Sequence, residues 1–278
     1  MTFRAASRRL ALGLSTALGV SARGVFVPYR HAREAKTAPG YAALLPRFAA
    51  AAATMVRVLH DVDRFDSALS AIGGGPDRAR WNQDWFPRLD AAAAYALVRR
   101  HAPARIVEIG AGHSTRFLAR ATADGGLATR HLAIDPRPRA PLPPGVAHMP
   151  VALEEADPAL FEGLAAGDVL FVDSSHVLLA GSDVDLILNG ILPRLPGGAL
   201  VHIHDIFLPD AYPRAWAWRR YNEQSAVAAL LQGGAYEIVF ASHYAVTRLA
   251  PRVASSAVAR LPLVSGAHES SLWLRKVA

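Results

Sequence analysis

The sequence predicts an α/β fold with a doubly wound, mostly parallel sheet and a helical N-terminal extension. Short apolar runs rich in Val and Ile alternate with stretches of helical spacing, and four of these runs end in glycine, aspartate or histidine. Continuous apolar runs are typical of strands that helices cover on both faces. Of the 278 residues, 52% are apolar and 19% are charged, so the chain can bury the core that this fold needs.

The N-terminal segment is cationic, because Glu34 is its first acidic residue and several arginines surround the apolar residues 10–20. Those 11 residues are too few to span a bilayer, which needs about 20. Three interpretations stay open: an ordinary first helix, which we favour, a secretory signal ending near Ser21 and Ala22, and an amphipathic helix that lies on a membrane surface through residues 1–22 or packs on a partner. No later window is expected to approach a membrane span.

Helical spacing continues from Tyr41 to about Leu69, and the glycines at 73–75 followed by Pro76 then interrupt it. We therefore divide the chain into a helical N-terminal extension, residues 1–75, and one α/β domain, residues 76–278. In that domain the predicted strands are 106–109, 132–134, 169–172, 200–203, 236–241 and 271–275, and the predicted helices are 114–123, 158–165 and 182–195.

Composition excludes several kinds of site. The chain has no Cys, so a disulfide framework, a thiolate zinc site and a Cys nucleophile are excluded. The net charge of +7 comes almost entirely from arginines spread along the chain, since Lys occurs only at Lys36 and Lys276. Spread charge without a basic stripe argues against nucleic acid as a partner.

Polar residues follow the first two predicted strands of the α/β domain. The first strand contains Glu108 and continues into Gly110, Gly112 and Ser114. Glycines in such a turn let a ligand approach the backbone, although a tight turn capped by Ser114 without a ligand is an equal reading. The second strand ends at Asp135, which can accept hydrogen bonds from both hydroxyls of a ribose or can start a turn.

These residues together resemble the class I S-adenosylmethionine-dependent methyltransferases, whose first motif is an acidic residue followed by Gly-x-Gly. The resemblance implies a Rossmann-like, seven-stranded sheet and S-adenosylmethionine as cofactor. It also implies the cofactor-binding residues Glu108, Gly110, Gly112, Ser114, Asp135 and Asp173. NAD is disfavoured, because a dinucleotide fingerprint would have a third glycine where Thr115 stands.

Ionisable residues are concentrated after the next two strands. Asp173 and His176 follow the third, and His202, His204 and Asp205 lie in or just after the fourth. Because parallel strands end at one edge of a sheet, we expect Asp173 and Asp205 to face one cleft. Such a density of ionisable groups indicates a functional site, with His202 more often structural than a ligand.

This pattern resembles metal-dependent O-methyltransferases of the catechol and macrolide-sugar type and the related cephalosporin-hydroxylase-like proteins. The resemblance implies that Asp173 and Asp205 bind a divalent metal and that His176 is the catalytic base. His204 stands where those proteins have an oxygen ligand. Mn²⁺, Fe²⁺ or Zn²⁺ therefore becomes as acceptable as Mg²⁺, with Asp173, His204 and Asp205 as ligands.

A wider set of residues also looks like an uncharacterised bacterial methyltransferase family. It comprises Asp168 to Asp183 and Leu200 to Pro213, with Trp216, Arg219, Tyr221, Asn222, Glu223 and Gln224. Two further aromatic groups are weaker candidates. Residues 81–86 could edge the cofactor site or fasten a helix to the core, and Tyr212, Trp216 and Trp218 could cover the acceptor or simply pack.

From these features we predict an enzyme, a methyltransferase that uses S-adenosylmethionine to methylate the oxygen of a small hydroxylated acceptor with the help of a metal. Asp173, His176 and His204 are the predicted catalytic residues. The alternatives are a metal-dependent oxygenase on the same fold, because His204 with other ligands approaches a facial triad, and a cofactor-binding protein without turnover. We expect a cytoplasmic protein, with membrane association and a homo-oligomer both compatible with the sequence.

Overall fold

Seven strands form one sheet at the centre of the protein. This computed structural model describes residues 3–20, 29–31, 33–34, 39–75 and 78–277. The strands are β1 Arg105–Ile109, β2 Arg130–Ile134, β3 Val146–Met149, β4 Val169–Val172, β5 Leu200–Ile203, β6 Tyr236–Ala241 and β7 Leu272–Lys276.

The strand order is β3-β2-β1-β4-β5-β7-β6. β1 to β5 are parallel, and β7 is antiparallel to both β5 and β6. The prediction of a Rossmann-like, mostly parallel, seven-stranded sheet is confirmed. Because β1 has β2 on one side and β4 on the other, the direction of winding reverses between β1 and β4, and a crevice opens beyond their carboxyl ends.

Burial explains which strands the sequence revealed. Every residue of β4 and β5 is buried, which matches their continuous apolar runs. β3 was not predicted, because it lies at the sheet edge and its middle residues Ala147 and His148 are exposed. An edge strand with a polar, solvated side gives only a short and weak pattern.

Helices pack on the sheet and connect its strands. The α-helices in the described part of the chain are α1 Phe3–Ala17, α2 Leu45–Arg64, α3 Asp66–Ser70, α4 Arg88–His101, α5 His113–Asp124, α6 Ala159–Glu162, α7 Asp183–Asp185, α8 Glu223–Gln232, α9 Ser242–Arg248 and α10 Ala250–Ala254. Short 3₁₀ helices occur at Ala42–Leu44, Leu153–Glu155, Leu192–Arg194, Arg214–Arg219 and Ala257–Arg260.

One predicted helix is wrong in detail. In place of a regular helix over 182–195, the chain forms α7, a π-helix at Leu186–Ile191 and a 3₁₀ turn. Gly190 has low helix propensity, and Pro193 lacks the N–H that a regular helix requires. The predicted helix at 158–165 is also shorter, since α6 ends before Gly163.

α2 packs on β6 and α4. Its buried residues Phe48, Met55 and Leu59 belong to the same core as the sheet strands. The segment Ala42–Arg64 is long and apolar enough to cross a membrane by length and composition, so the expectation that no later window approaches a span is wrong. Its packing against β6 and α4 also explains the apolar composition. The division of the chain at residue 75 stays a prediction, and Pro76 lies outside the described residues.

α1 is a helix, as one reading of the N-terminal segment required. Where its side chains are described, they are exposed or half-buried and none enters the core. The residues Ser21 and Ala22 of the secretory-signal reading lie outside the described part of the chain.

Candidate active site

A cleft of about 390 Å³ lies beyond the carboxyl ends of β1, β2, β4 and β5. A smaller cavity of about 210 Å³ adjoins it, and both are lined by Gly110, Asp135 and Asp173. The smaller cavity continues along Ala152 and Leu153, which follow β3. The structure therefore brings the ends of four neighbouring strands to one two-lobed depression, as the sequence predicted for a sheet of this kind.

The turn after β1 depends on one glycine more than on the other. Gly110 has a φ of +80°, and a Cβ atom there would lie 2.1 Å from the backbone oxygen of Asp173. Gly112 is extended, and its Cβ would come no closer than 3.3 Å to the Cβ of Arg139. Gly110 is thus required where the ends of β1 and β4 approach each other. Gly112 N–H donates to Thr115 Oγ1 at 2.9 Å, so Thr115, not Ser114, caps α5.

Glu108 and Ser114 support this turn from inside the protein. Ser114 Oγ donates to Glu108 Oε1 at 2.6 Å, and the other carboxylate oxygen lies 3.1 Å from His131 Nε2. Both Glu108 and Ser114 are buried, and neither lines the cleft or the smaller cavity. Their bond to each other holds the turn, and their assignment to the cofactor stays a prediction.

Asp135 has the position expected of a ribose-binding carboxylate and also begins a turn. Its two oxygens accept hydrogen bonds from the N–H groups of Ala111, at 2.7 Å, and Arg137, at 2.6 Å. A carboxylate offers about four acceptor positions, so about two remain for a ligand. Asp135 is half-buried and lines both lobes of the depression.

Four ionisable side chains at the ends of β4 and β5 form what we call the charged cluster: Asp173, His176, His204 and Asp205. His176 Nε2 lies 3.3 Å from Asp173 Oδ1 and 3.6 Å from Asp205 Oδ2. His204 Nδ1 lies 3.4 Å from Asp173 Oδ1 and 3.7 Å from Asp205 Oδ1. The structure thus brings together the four residues that the sequence singled out, with each imidazole facing both carboxylates.

Two carboxylates that the sequence reasoning did not single out as site residues contact the outer nitrogens of these imidazoles. Glu223, at the start of α8, lies 2.8 Å from His176 Nδ1 and also accepts from Ser174 Oγ. Asp90 of α4 lies 3.6 Å from His204 Nε2 and accepts from the N–H groups of Ser270 and Ser271. Both carboxylates are buried. Glu223 orients the ring of His176 through a hydrogen bond, whereas Asp90 is a charged neighbour of His204 beyond hydrogen-bond distance.

The charged cluster has strongly shifted pKa values. Burial alone would raise the pKa of Asp173, but His204 and His176 beside it hold that pKa well below its usual value. Burial alone would lower the pKa of His176 and of His204. The carboxylates around each ring nevertheless raise both pKa values well above that of a free histidine. These opposed shifts are typical of ionisable groups in a functional site.

Backbone conformation adds a second indication. His176 and Asp205 have φ values of +62° and +55°, in the left-handed region that side chains other than glycine rarely adopt. Such conformations are found preferentially at functional sites, because the surrounding structure must stabilise them. Here they turn both side chains into the cleft that they line.

The donor types of the charged cluster fit a divalent metal that accepts both nitrogen and oxygen ligands. The outer carboxylates Glu223 and Asp90 also resemble the partners that orient metal-bound histidines. In the described parts of the chain, however, no group of three or more His, Asp or Glu side chains already has the geometry of a metal site. As folded, the four side chains pair with one another, and binding an ion would require them to separate.

His202 is structural, as predicted. Its ring stacks on Phe171 with a centroid distance of 3.7 Å, and Nε2 lies 2.8 Å from Ser271 Oγ. Burial and the neighbouring His204 lower the pKa of His202 well below its usual value. The ring is therefore neutral and belongs to the core, on the same face of the sheet as His204.

Aromatic and arginine side chains form the outer wall of the cleft. Arg219 lies 4.2 Å from the ring centroid of Trp216 and donates to Tyr221 Oη at 3.1 Å. On the opposite side Arg139 lies 3.6 Å from the ring centroid of Trp85. Trp216 and Tyr221 line the cleft, whereas Tyr212 lines a neighbouring cavity of about 710 Å³.

The aromatic predictions are therefore right in part. Trp81 and Phe86 are buried in the core, whereas Asp84 and Trp85 reach the cleft. Neither the cleft nor the neighbouring cavity is lined by Trp218. Of the arginines of this wall, Arg219 belongs to the residues that carry the resemblance, whereas Arg137 and Arg139 carry no pattern in the sequence that separates them from the many others.

Part of the chain matches a known protein family. Residues 107–206 match the family model described as a methyltransferase domain, a segment that runs from β1 to just after β5. The resemblance to methyltransferases inferred from the sequence is confirmed over this segment. No curated protein matches the chain.

Three solved structures illustrate the similarity. The SAH-bound methyltransferase PaMTH1 of Podospora anserina is 14% identical, with 92% of this chain and 100% of that chain covered and a TM-score of 0.43. A cmcI structure named with Mg and SAM is 18% identical, with 66% and 69% covered and a TM-score of 0.39. The plantazolicin methyltransferase BpumL with SAH is 12% identical, with 67% and 84% covered and a TM-score of 0.43. These scores are low, so the fold assignment rests on the strand order.

Proposed function

We propose that this methyltransferase domain transfers the methyl group of S-adenosylmethionine to a hydroxyl oxygen of a small acceptor. One observation carries the proposal: the charged cluster, which can accept a proton, lies directly beside the Gly110 turn and Asp135, which can hold a nucleoside. Asp173 belongs to both groups, since it lines both lobes and pairs with His176 and His204.

The cofactor would occupy the smaller cavity and the adjoining part of the cleft. The lining after β3, including Ala152 and Leu153, offers an apolar surface for the adenine. The two free acceptor positions of Asp135 suit the ribose hydroxyls. The Gly110 turn and Asp173 lie next to it on the path toward the charged cluster, where the methionine part would lie.

The acceptor would lie in the larger lobe, between the charged cluster and the aromatic wall of Trp216 and Tyr221. The bond from the sulfonium sulfur to the methyl carbon breaks, the bond from that carbon to the acceptor oxygen forms, and S-adenosylhomocysteine leaves. The hydroxyl proton moves to Nε2 of His176 when that ring is neutral, while Glu223 holds Nδ1 and keeps the ring in place. Because the pKa of His176 is raised, we expect turnover to increase as the pH rises through that pKa. Alignment of oxygen, carbon and sulfur by the cleft would supply much of the rate, about 7–11 kcal/mol in well-oriented cases.

A divalent metal is the second part of the proposal. Asp173, His204 and Asp205 would hold it, with His176 beside it as proton acceptor. Such an ion supplies positive charge that lowers the pKa of a bound hydroxyl. Because His204 contributes nitrogen, we expect Mn²⁺, Fe²⁺ or Zn²⁺ to bind at least as well as Mg²⁺.

The test uses the full chain, S-adenosylmethionine with a labelled methyl group, and a panel of small phenols, catechols and hydroxylated sugars. We expect label on an oxygen of the product, identified by mass spectrometry. We also expect activity to fall with a chelator and to return when a divalent ion is added. Label found only on nitrogen or carbon would contradict O-methylation, and full activity of metal-free protein in chelator would contradict metal assistance. Oxygen consumption with Fe²⁺ and no methylated product would support the oxygenase alternative instead.

A further inference from the structure

Helix α1 presents apolar side chains to solvent instead of to the core. Leu10, Leu14 and Leu18 follow one another at intervals of four residues, and they are 64%, 51% and 73% exposed. Residues four apart lie on the same side of a helix, and the N–H of Leu18 still bonds to the oxygen of Leu14. The three leucines therefore form one apolar stripe, to which the described part of the chain supplies no buried contact.

The core of the described residues forms without these three leucines. Among the described residues, the hydrophobic core begins at Leu44, and α2 already covers β6 with its own apolar side. α1 is also too short to cross a bilayer, because its 15 residues extend about 22 Å and a hydrocarbon core is about 30 Å thick. The stripe thus suits a partner that covers the helix from one side.

Charge indicates the chemistry of that partner. Arg4, Arg8 and Arg9 lie in α1, and no acidic residue occurs before Glu34. Arg8 is exposed and two residues before Leu10, so it lies on a different side of the helix from the stripe, and its long side chain can reach headgroups beside the helix. An apolar stripe on a helix whose other side carries positive and no negative charge is typical of helices that lie in the surface of a membrane rich in anionic lipid.

We infer that α1 binds the surface of a bilayer containing anionic phospholipid, with Leu10, Leu14 and Leu18 in the boundary of the acyl chains and Arg8 reaching the headgroups. This inference does not depend on the proposed reaction. It has a consequence for the cleft, since the chain after α1 joins the domain where Gly40 pairs with Asp210 and Tyr41 N–H bonds to the oxygen of Pro209. That junction lies just before the segment that carries Trp216 and Tyr221, so a membrane-bound α1 would tether the domain close to the acceptor lobe.

The experiment measures flotation of the full chain with vesicles of phosphatidylcholine alone and of phosphatidylcholine with phosphatidylglycerol. We expect binding to the anionic vesicles, weakened by salt. The double variant Leu10→Asp, Leu14→Asp should bind about a hundredfold more weakly, at about tenfold for each leucine. Arg8→Ala should cost about fivefold on anionic vesicles and little on neutral ones.

Two variants serve as matched controls. Leu263→Asp changes a leucine that is 42% exposed in a distant loop, and Arg194→Ala removes an exposed arginine far from α1 in sequence, so both should bind like the unaltered protein. Each variant should melt at the same temperature as the parent, because α1 is outside the core. Absence of vesicle binding, equal binding of the leucine double variant, or a concentration-dependent dimer that this variant abolishes would overturn the inference. Removal of α1 from the protein recovered from its own cells would overturn it as well.

Discussion

The two halves of the cleft hold their carboxylates in opposite ways. In the half formed by β1 and β2, which we call the glycine half after Gly110, Asp135 accepts hydrogen bonds from backbone N–H groups. In the half formed by β4 and β5, Asp173 and Asp205 instead face the rings of His176 and His204. A backbone N–H cannot give up its proton, whereas an imidazole can. The comparison teaches that the glycine half is built to position a ligand and the charged cluster is built to move a proton.

Backbone geometry follows the same division. The glycine half places its left-handed residue at Gly110, where that conformation is free of strain. The charged cluster places left-handed conformations at His176 and Asp205, where they cost free energy, of the order of 1–3 kcal/mol each. The charged cluster is therefore the half in which backbone strain lowers stability, and it is also the half in which the direction of the side chains decides the chemistry.

The largest effect should come from removing the proton acceptor. His176→Gln should lower kcat about 10²–10⁴-fold and leave the affinity for S-adenosylmethionine nearly unchanged, because the ring acts only as the proton moves. Glu223→Gln should lower kcat by a smaller factor, about 10–100-fold, since Glu223 acts by orienting His176. Glu223→Asp, which keeps the charge, should recover part of that loss. Steady-state kinetics together with calorimetric titration of the cofactor would measure both quantities.

His60→Gln is the control for these variants, because His60 is exposed on α2 and does not line the cleft. It should behave like the parent. An equal loss of kcat and of cofactor affinity in His176→Gln and in Glu223→Gln would show that these two residues support the fold and do not take part in the reaction. The division between a positioning half and a reacting half would then be wrong.

A smaller effect is expected in the glycine half. Asp135→Ala should weaken S-adenosylmethionine binding by about 1.5–3 kcal/mol, or about 10–150-fold in Kd, the scale of hydrogen bonds to a charged group. At saturating cofactor its kcat should be close to that of the parent, the reverse of the result for His176→Gln. Glu237→Ala, at an exposed position of β6, is the matched control. Unchanged affinity in a folded Asp135→Ala protein, or binding of NAD with comparable affinity, would show that this strand end does not hold the cofactor.

The sequence predicted the site residues that stand at strand ends and missed those that distant helices contribute. Gly110, Asp135, Asp173 and Asp205 were predicted because each stands at the end of a strand, and parallel strands bring their ends together. Glu223 and Asp90 were not predicted as parts of the site, because they come from helices. The first is 47 residues from His176 and the second precedes even β1. Only the packing of α8 and α4 against the sheet brings them to the rings.

Local chemistry also explains what the sequence did not specify. Glu108 and Ser114 were assigned to the cofactor because they stand in the right motif; that assignment stays a prediction, and the structure adds that both are buried and bonded to each other. The helix predicted over 182–195 has the right apolar spacing, and its irregular form depends on Gly190 and Pro193. Sequence patterns thus located the elements, whereas the direction of individual side chains required the structure.

The smallest effect concerns stability against acid. As the pH falls, the histidine in the glycine half should lower stability and the histidines of the charged cluster should raise it. His113, at the start of α5 in the glycine half, is buried, and burial together with Arg116, Arg80 and Arg139 lowers its pKa from 6.5 to about 4. Below pH 6.5 the unfolded chain gains a proton there that the folded chain does not accept until about pH 4. His113 should therefore reduce stability as the pH falls through this window. The full difference between the two pKa values corresponds to about 3 kcal/mol, and solvent screening reduces the expected effect to about 1 kcal/mol, or about 2–4 °C in Tm, with no effect at neutral pH.

The variant His113→Gln should remove this contribution, so that its Tm falls less than that of the parent between pH 6.5 and pH 4.

In the charged cluster, the effect of pH on stability has the opposite sign. The pKa values of His176 and His204 are raised, so in metal-free protein their pairing with Asp173 and Asp205 stabilises the fold below the pKa of a free histidine and is lost as the pH rises. Thermal melts of the parent and of His113→Gln across this range, with chelator present, would measure the difference. Parallel Tm curves for the two proteins would show that His113 takes up its proton as readily in the folded as in the unfolded state. The glycine half would then contain a protonated histidine, which we assign to the charged cluster alone.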